Sequence, residues 1–394
     1  MRVGDHVRLR TERPVAGGRM LARAEDGRVA LVAEALPGEL VDVELTAVHD
    51  RRVEGRVLAV VEPSSTRTAP PCPHVAAGCG GCDWQHVAPA AAPELRREVV
   101  VDAARHLSGV ELPTPVVRPA GDLEGYRTTV RFARTGSSVG LRRAASDEIV
   151  PVDRCLVAHP LVDEVIAELE PGDADELTVR VGAATGERLV LATPGAQGVG
   201  APPGVSVVGE DELRAGRRAW IHEELAGRRW RISARSFFQS GPGAAEALVD
   251  AVGAAVGDAG PRLLDLYAGV GLFAGTVGVG RDCVAVERSP DAVADARINL
   301  PDARVVRADV RRYRPRPVDV AVVDPARAGL GRQAADVLVA SRADVVVLIS
   351  CDAAAFGRDV KLLADRGYAP TSIELVDAFP GTSHVEVVTR FERV

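Results

Sequence analysis

Apolar and polar positions alternate in short stretches near the start of the chain: Val7-Arg-Leu9, Arg28-Val-Ala-Leu-Val32, Leu40-Val-Asp-Val-Glu-Leu45 and Gly55-Arg-Val-Leu-Ala-Val-Val61. A period of two is that of a strand with one face on a core. Turn signals at Gly17-Gly18, Asp26-Gly27 and Pro37-Gly38 separate the stretches, so residues 1–62 are expected to form five short strands of a small OB-type barrel. Residues 91–107 have helical periodicity. Residues 110–235 return to short β-like pieces such as Thr128-Thr-Val-Arg-Phe132, Leu177-Thr-Val-Arg-Val181 and Arg188-Leu-Val-Leu-Ala192. Residues 194–207, rich in Gly and Pro, read as a mobile loop. This segment, 63–234, is expected to be a central β-rich domain.

From about Arg235 the period changes. Residues 244–256 and 292–299 read as helices. Arg262-Leu-Leu-Asp-Leu266, Val284-Ala-Val-Glu287, Asp319-Val-Ala-Val-Val-Asp324 and Asp344-Val-Val-Val-Leu-Ile-Ser350 read as buried strands. Strands alternating with helices predict a Rossmann-like α/β domain with a mostly parallel sheet over 235–394.

Composition changes this picture little. With 394 residues, 46% hydrophobic and 26% charged, the chain can bury two or three full cores. The net charge of −7 argues mildly against nucleic acid. Arg142-Arg143, Arg228-Arg229-Trp-Arg231 and Arg311-Arg312 are local basic clusters that suit either phosphate contacts or solvated faces. No apolar run reaches membrane-spanning length and no signal-type segment follows Met1, so a cytoplasmic monomer with no membrane contact is expected.

The cysteines change it more. Cys72-x6-Cys79-Gly-Gly-Cys82-Asp-Trp-Gln-His86 places three thiols in one loop, and Cys155 offers a fourth. A long chain with clustered cysteines favours metal ligation over disulfides. Three sulfurs from one loop and one from afar suit an iron–sulfur cluster better than zinc, which prefers two close pairs. Zinc and unliganded thiols remain the alternatives, and His74 and His86 read as flanking rather than ligating. Cys283, inside a strand, reads as core.

Two further motifs carry chemistry. Leu263-Leu-Asp-Leu-Tyr-Ala-Gly-Val-Gly271 is a strand followed by a glycine turn that lets backbone approach a ligand closely, and Glu287 ends the next strand where ribose hydroxyls would be received. The turn lacks the third glycine of the dinucleotide fingerprint. Ile349-Ser-Cys-Asp352 puts a thiol at the exit of a late strand, where substrates collect in such sheets.

Together these pieces resemble the RNA uracil-5 methyltransferase family, of the TrmA and 23S ribosomal RNA type, along almost the whole chain. The matching residues are Ala35-Leu-Pro-Gly-Glu-Leu-Val41 (similar to the TRAM domain, an RNA-binding barrel), the Cys-Gly-Gly-Cys-Asp-Trp-Gln-His loop, the Leu-Asp-Leu-Tyr-x-Gly-Val-Gly-Leu-Phe turn, Ser-Cys-Asp and His384-Val-Glu386. The resemblance implies a class I methyltransferase domain, S-adenosylmethionine as donor and a uridine in rRNA or tRNA as substrate. It implies Cys351 as nucleophile, Glu386 as base, and Gln239, Tyr267, Glu287 and Asp324 as donor-site positions. It also implies Cys72, Cys79, Cys82 and Cys155 as ligands of a 4Fe–4S cluster. Two positions depart: Asp324-Pro-Ala-Arg327 replaces the family's Asp-Pro-Pro-Arg, and Leu272 stands where many members carry a donor-contacting asparagine. Phe237 and Phe238 offer a stacking face or belong to the core, and Asp309 reaches an adenine or caps a helix. The rival reading is an iron–sulfur RNA-binding redox sensor with a vestigial methyltransferase fold.

Overall fold

The computed structural model describes all 394 residues. The strands His6–Val15, Arg19–Arg23, Val29–Ala33, Leu40–Val48 and Arg52–Glu62 close into a barrel, ordered first, second, third, fifth, fourth, with the first returning to the fourth. That closure is compatible with the expected OB type. Val41, Val43 and Leu45 face inward, while Asp42 and Glu44 between them pair outside with Arg8 and Arg56. Arg19–Arg23 lay outside the alternating stretches because only Met20 and Ala22 make its inner face. Glu39, in the TRAM-like stretch, is buried. Its carboxylate accepts from the N–H groups of Leu36 and Ser64 at 2.8 and 3.1 Å and from Arg67 at 2.5 and 2.7 Å. Burial alone would raise its pKa, but these donors hold it below the ordinary value.

The α/β sheet orders its strands Arg304–Arg307, Asp282–Glu287, Arg262–Leu266, Val320–Val323, Val345–Ser350, Val387–Arg393, Tyr368–Val376 and Val116–Arg118. All run parallel except Val387–Arg393, which is antiparallel to both its neighbours. Along Val345–Ser350 the residues Val346 and Leu348 join one core, while Val345, Val347 and Ile349 join the other. A sheet covered on both faces explains the unbroken apolar run. Each such side chain contributes about 1.5–3 kcal/mol on burial. Gly331–Ser341 and Ala353–Ala364 cover one face, Pro242–Val256 and Pro290–Asn299 the other.

The helix Ala92–Ser108 packs on Ala353–Ala364, and its core is continuous with that of the barrel. Residues 92–118 of the central segment therefore sit on the α/β unit. A second, six-stranded sheet runs Val205–Gly209, Arg188–Thr193, Glu176–Val181, Thr129–Thr135, Ser138–Arg142 and Ile149–Pro151. Residues 194–207, expected as a mobile loop, are pinned. Glu170 and Gly200 exchange both backbone hydrogen bonds at 3.0 Å, Asp173 N–H reaches the Gln197 carbonyl at 3.0 Å, and the strand from Val205 pairs in parallel with Arg188–Thr193. No helix is long and apolar enough to cross a membrane.

Candidate active site

Cys351 lies in the turn between Val345–Ser350 and Ala353–Ala364, where Asp352 caps the helix by accepting from Ala355 N–H at 2.7 Å. Ser350 pairs with Val387 on the antiparallel strand, so the same register brings Glu386 opposite Cys351. Asp324 ends the neighbouring strand, one residue beyond the Val323–Leu348 pair. Three titratable groups therefore meet at the carboxyl end of the sheet. Burial pushes the Cys351 thiol up to about 12, with the charges of Glu386 and Asp324 adding and Arg327 opposing. Burial holds Asp324 up to about 7. Glu386, only 3% exposed, is raised well above the carboxylate range by burial and then by Asp324. Burial therefore raises both carboxylates as well as the thiol, which is neutral until a base takes its proton.

Two side chains to which the sequence assigned no role fix this corner. Arg96, on Ala92–Ser108, is 1% exposed. It donates to the carbonyls of Thr382 at 2.9 and 3.0 Å and Phe379 at 3.1 Å, and pairs with Asp377 at 2.6 Å. Asp83, in the cysteine loop, accepts from Ser383 N–H and Oγ at 2.8 and 2.5 Å. The loop before Glu386 is so clamped from both sides. Trp84, buried beside Asp83, donates Nε1–H to the Gly18 carbonyl at 3.0 Å and joins the same loop to the barrel. An arginine within a helix's apolar stripe was the only signal for Arg96.

A cavity of about 790 Å³ opens beside the glycine turn, lined by Tyr267, Glu287, Asp309 and Gly329 among others. Its size suits a nucleoside-bearing ligand. Tyr267 takes the left-handed conformation at φ 63°, turning the chain into the Gly269 loop. Glu287 accepts from Gly269, Arg288 and Ser289 N–H at 3.1, 2.6 and 2.6 Å, which fixes its carboxylate at the wall. Asp309 both lines the cavity and caps the short helix at Val310–Arg312. Gln239 does not line this cavity; its segment passes the turn, with the Phe237 carbonyl 4.0 Å from where a Gly269 side chain would begin. Leu272 is buried in the core, as is Cys283, and neither reaches the cavity. Phe238 is buried near Trp230, whereas Phe237 is 68% exposed.

Cys72, Cys79, Cys82 and Cys155 line a second cavity, of about 730 Å³, against the six-stranded sheet. The loop docks on that sheet through backbone hydrogen bonds from Gly80 to Arg142 and from Ala144 to Gly78; a side chain on Gly80 would start 2.9 Å from Ala144 backbone. Burial raises the thiols of Cys79, Cys82 (to about 11) and Cys155, each with a further cysteine adding. No group of three or more Cys, His, Asp or Glu closes to single-ion distance. The four thiols surround a space rather than a point, so the arrangement does not by itself assign a metal.

No family model matches the chain. It is similar to an uncharacterized RNA methyltransferase of Streptomyces coelicolor, 35% identical over 99% of this chain and 93% of that protein. Another, from Thermosynechococcus vestitus, is 31% identical over 98% and 97%. Among solved structures it resembles the Pyrococcus abyssi tRNA (uracil-54, C5)-methyltransferase in complex with S-adenosyl-L-homocysteine, with a TM-score of 0.73 and 24% identity over 98% of this chain and 100% of that one. That likeness shows the fold, a class I methyltransferase sheet. The redox-sensor reading gains no support from these relatives.

Proposed function

The chain belongs to the RNA methyltransferases, and we propose that it moves a methyl group from S-adenosylmethionine to carbon 5 of a uridine in RNA. The observation that carries this is the strand register that sets Glu386 opposite Cys351 at the sheet's carboxyl end. A methyltransferase acting on nitrogen or oxygen has no use for that thiol. Carbon 5 of uracil is not nucleophilic until something adds to carbon 6.

Cys351 gives up its proton through the carboxylate pair to solvent, which leaves Glu386 ionised, and its sulfur bonds to carbon 6, moving the double-bond electrons to carbon 5. Carbon 5 bonds the methyl carbon as the bond to the donor sulfonium breaks. Glu386 then accepts the proton from carbon 5, the double bond re-forms, and the Cys351 thiolate leaves. Tyr267 and Glu287 hold the donor at the glycine turn, with Asp324 between donor and thiol and Gln239 on the segment beside the turn. The uridine must leave its stack to reach Cys351, and exposed Phe237 offers a stacking face. The barrel serves as an RNA-binding module.

The four-cysteine set is read as the ligand set of a 4Fe–4S cluster. The support is the donor set: four thiols on one cavity, three from a loop docked on the central sheet. Bound there, a cluster supplies a cross-link between residues 72–82 and 155.

RNA carrying tritium at carbon 5 of uridine tests the reading. One tritium released to water for each methyl group incorporated is expected. Methyl incorporation without tritium release would place the reaction on another atom.

A further inference from the structure

Arg180 is an unexplained charge. On Glu176–Val181 it lies on the same face as Glu176 and Thr178, while Leu177 and Val179 face the core. That polar face forms one wall of the 730 Å³ cavity. Arg180 is 7% exposed, yet its Nε and Nη1 have no hydrogen-bond partner. The one acid that acts on it is Asp295. The Asp295 oxygens are taken by Ser233 and Ser236 at 2.6–2.8 Å and by Arg231 at 3.2 Å. Other charges on this wall are paired: Glu176 faces Arg131 and Arg142, and Glu210 faces Arg235. Arg127, on the same cavity, also has an unpartnered buried Nε. Arg180 pairs in register with Thr129 on the cavity wall, and Asp295, the acid that acts on it, is bonded to Ser236 next to Phe237.

A buried guanidinium with idle N–H groups is costly unless an anion meets it. Its planar fork matches a phosphate with two parallel hydrogen bonds. We propose that Arg180 anchors a phosphate subsite in this cavity, holding one phosphodiester of the substrate strand beside exposed Phe237. The subsite rests on the RNA substrate proposed above, but not on the carbon-5 chemistry.

Octauridylate binding is measured over a KCl series for wild type, Arg180→Met and Arg180→Lys, with S-adenosylhomocysteine binding on the same samples. Arg180→Met should weaken octauridylate on the order of tenfold and flatten the slope of log affinity against log salt by about 0.7, the loss of one single-strand phosphate contact. Arg180→Lys should keep the slope, and S-adenosylhomocysteine binding should stay within about twofold. Wild type needs no substitution in a parallel arm: moving one uncharged methylphosphonate linkage along the strand should reveal one position that costs the same slope. Unchanged slope and affinity in Arg180→Met, joint loss of S-adenosylhomocysteine binding, no sensitive linkage, or no octauridylate binding by wild type would each overturn the subsite. A phosphate slope without tritium release at carbon 5 would leave the subsite standing and remove the uracil reading.

Discussion

Cys351 and Glu386 divide the proposed reaction between them, and their separate removal distinguishes the roles. Cys351→Ala should abolish methyl transfer and leave donor binding near normal, because the thiol meets the base and not the donor. Glu386→Gln should still add and methylate, then stall with carbon 5 unable to lose its proton. That variant is expected to hold a methyl-labelled protein–RNA adduct through denaturing electrophoresis, and the adduct should vanish when Cys351 is also replaced. Free turnover without adduct would reassign the proton to another acceptor. The pH profile belongs to the same residues. Glu386 accepts a proton only when ionised, and its folded pKa is raised by burial and by Asp324. Activity should therefore rise with pH through an acid limb well above that of an ordinary carboxylate at about 4.3. Asp324→Asn removes the like charge and should move the limb down. A wild-type limb in the ordinary carboxylate range would contradict the buried pair.

At the scale of elements, residues 377–383 are held by a clamp between a helix and the cysteine loop. The helix Ala92–Ser108 contributes Arg96, whose guanidinium joins Asp377 and the carbonyls of Phe379 and Thr382. Arg96→Met keeps the stem and leaves three acceptors without their donor. The loss should be about 3 kcal/mol, as for other broken buried pairs, read from the urea midpoint. Under folded conditions kcat should fall more than donor affinity, because the loop leads to Glu386 while the donor cavity lies across the sheet. A kcat within twofold of wild type would show that Glu386 is placed without this clamp.

The whole molecule is joined through the cysteine loop. Trp84 reaches the barrel, Asp83 reaches the catalytic-side loop, and Gly80 and Gly78 bond to the central sheet. A cluster on Cys72, Cys79, Cys82 and Cys155 would tighten all three attachments. Anaerobically purified protein should be brown with about four irons per chain, and Cys155→Ser should lose the iron and lower the thermal midpoint. Stoichiometric zinc without iron, or iron retained in Cys155→Ser, would refute this ligand set.

What could be read directly were features whose physics is local. The barrel strands alternate with period two, the sheet strands run apolar because both their faces are covered, and the glycine turn needs its own conformational freedom. Cys351 stood out because an apolar run ends there in Ser-Cys-Asp. Periodicity, however, reports only which face a side chain takes, and not what later covers that face. Arg180 has the alternation of a solvated position, yet it is 7% exposed, on a face of the sheet that forms a cavity wall instead of an open surface. Gln239, a donor-site position by resemblance, sits on the segment that passes the glycine turn, outside the lining of that one cavity. Glu386 was recognisable by its motif, but its meeting with Cys351 came only from the insertion of Val387–Arg393 antiparallel beside Val345–Ser350. Residues 35 positions apart become neighbours through that pairing, which no local pattern encodes.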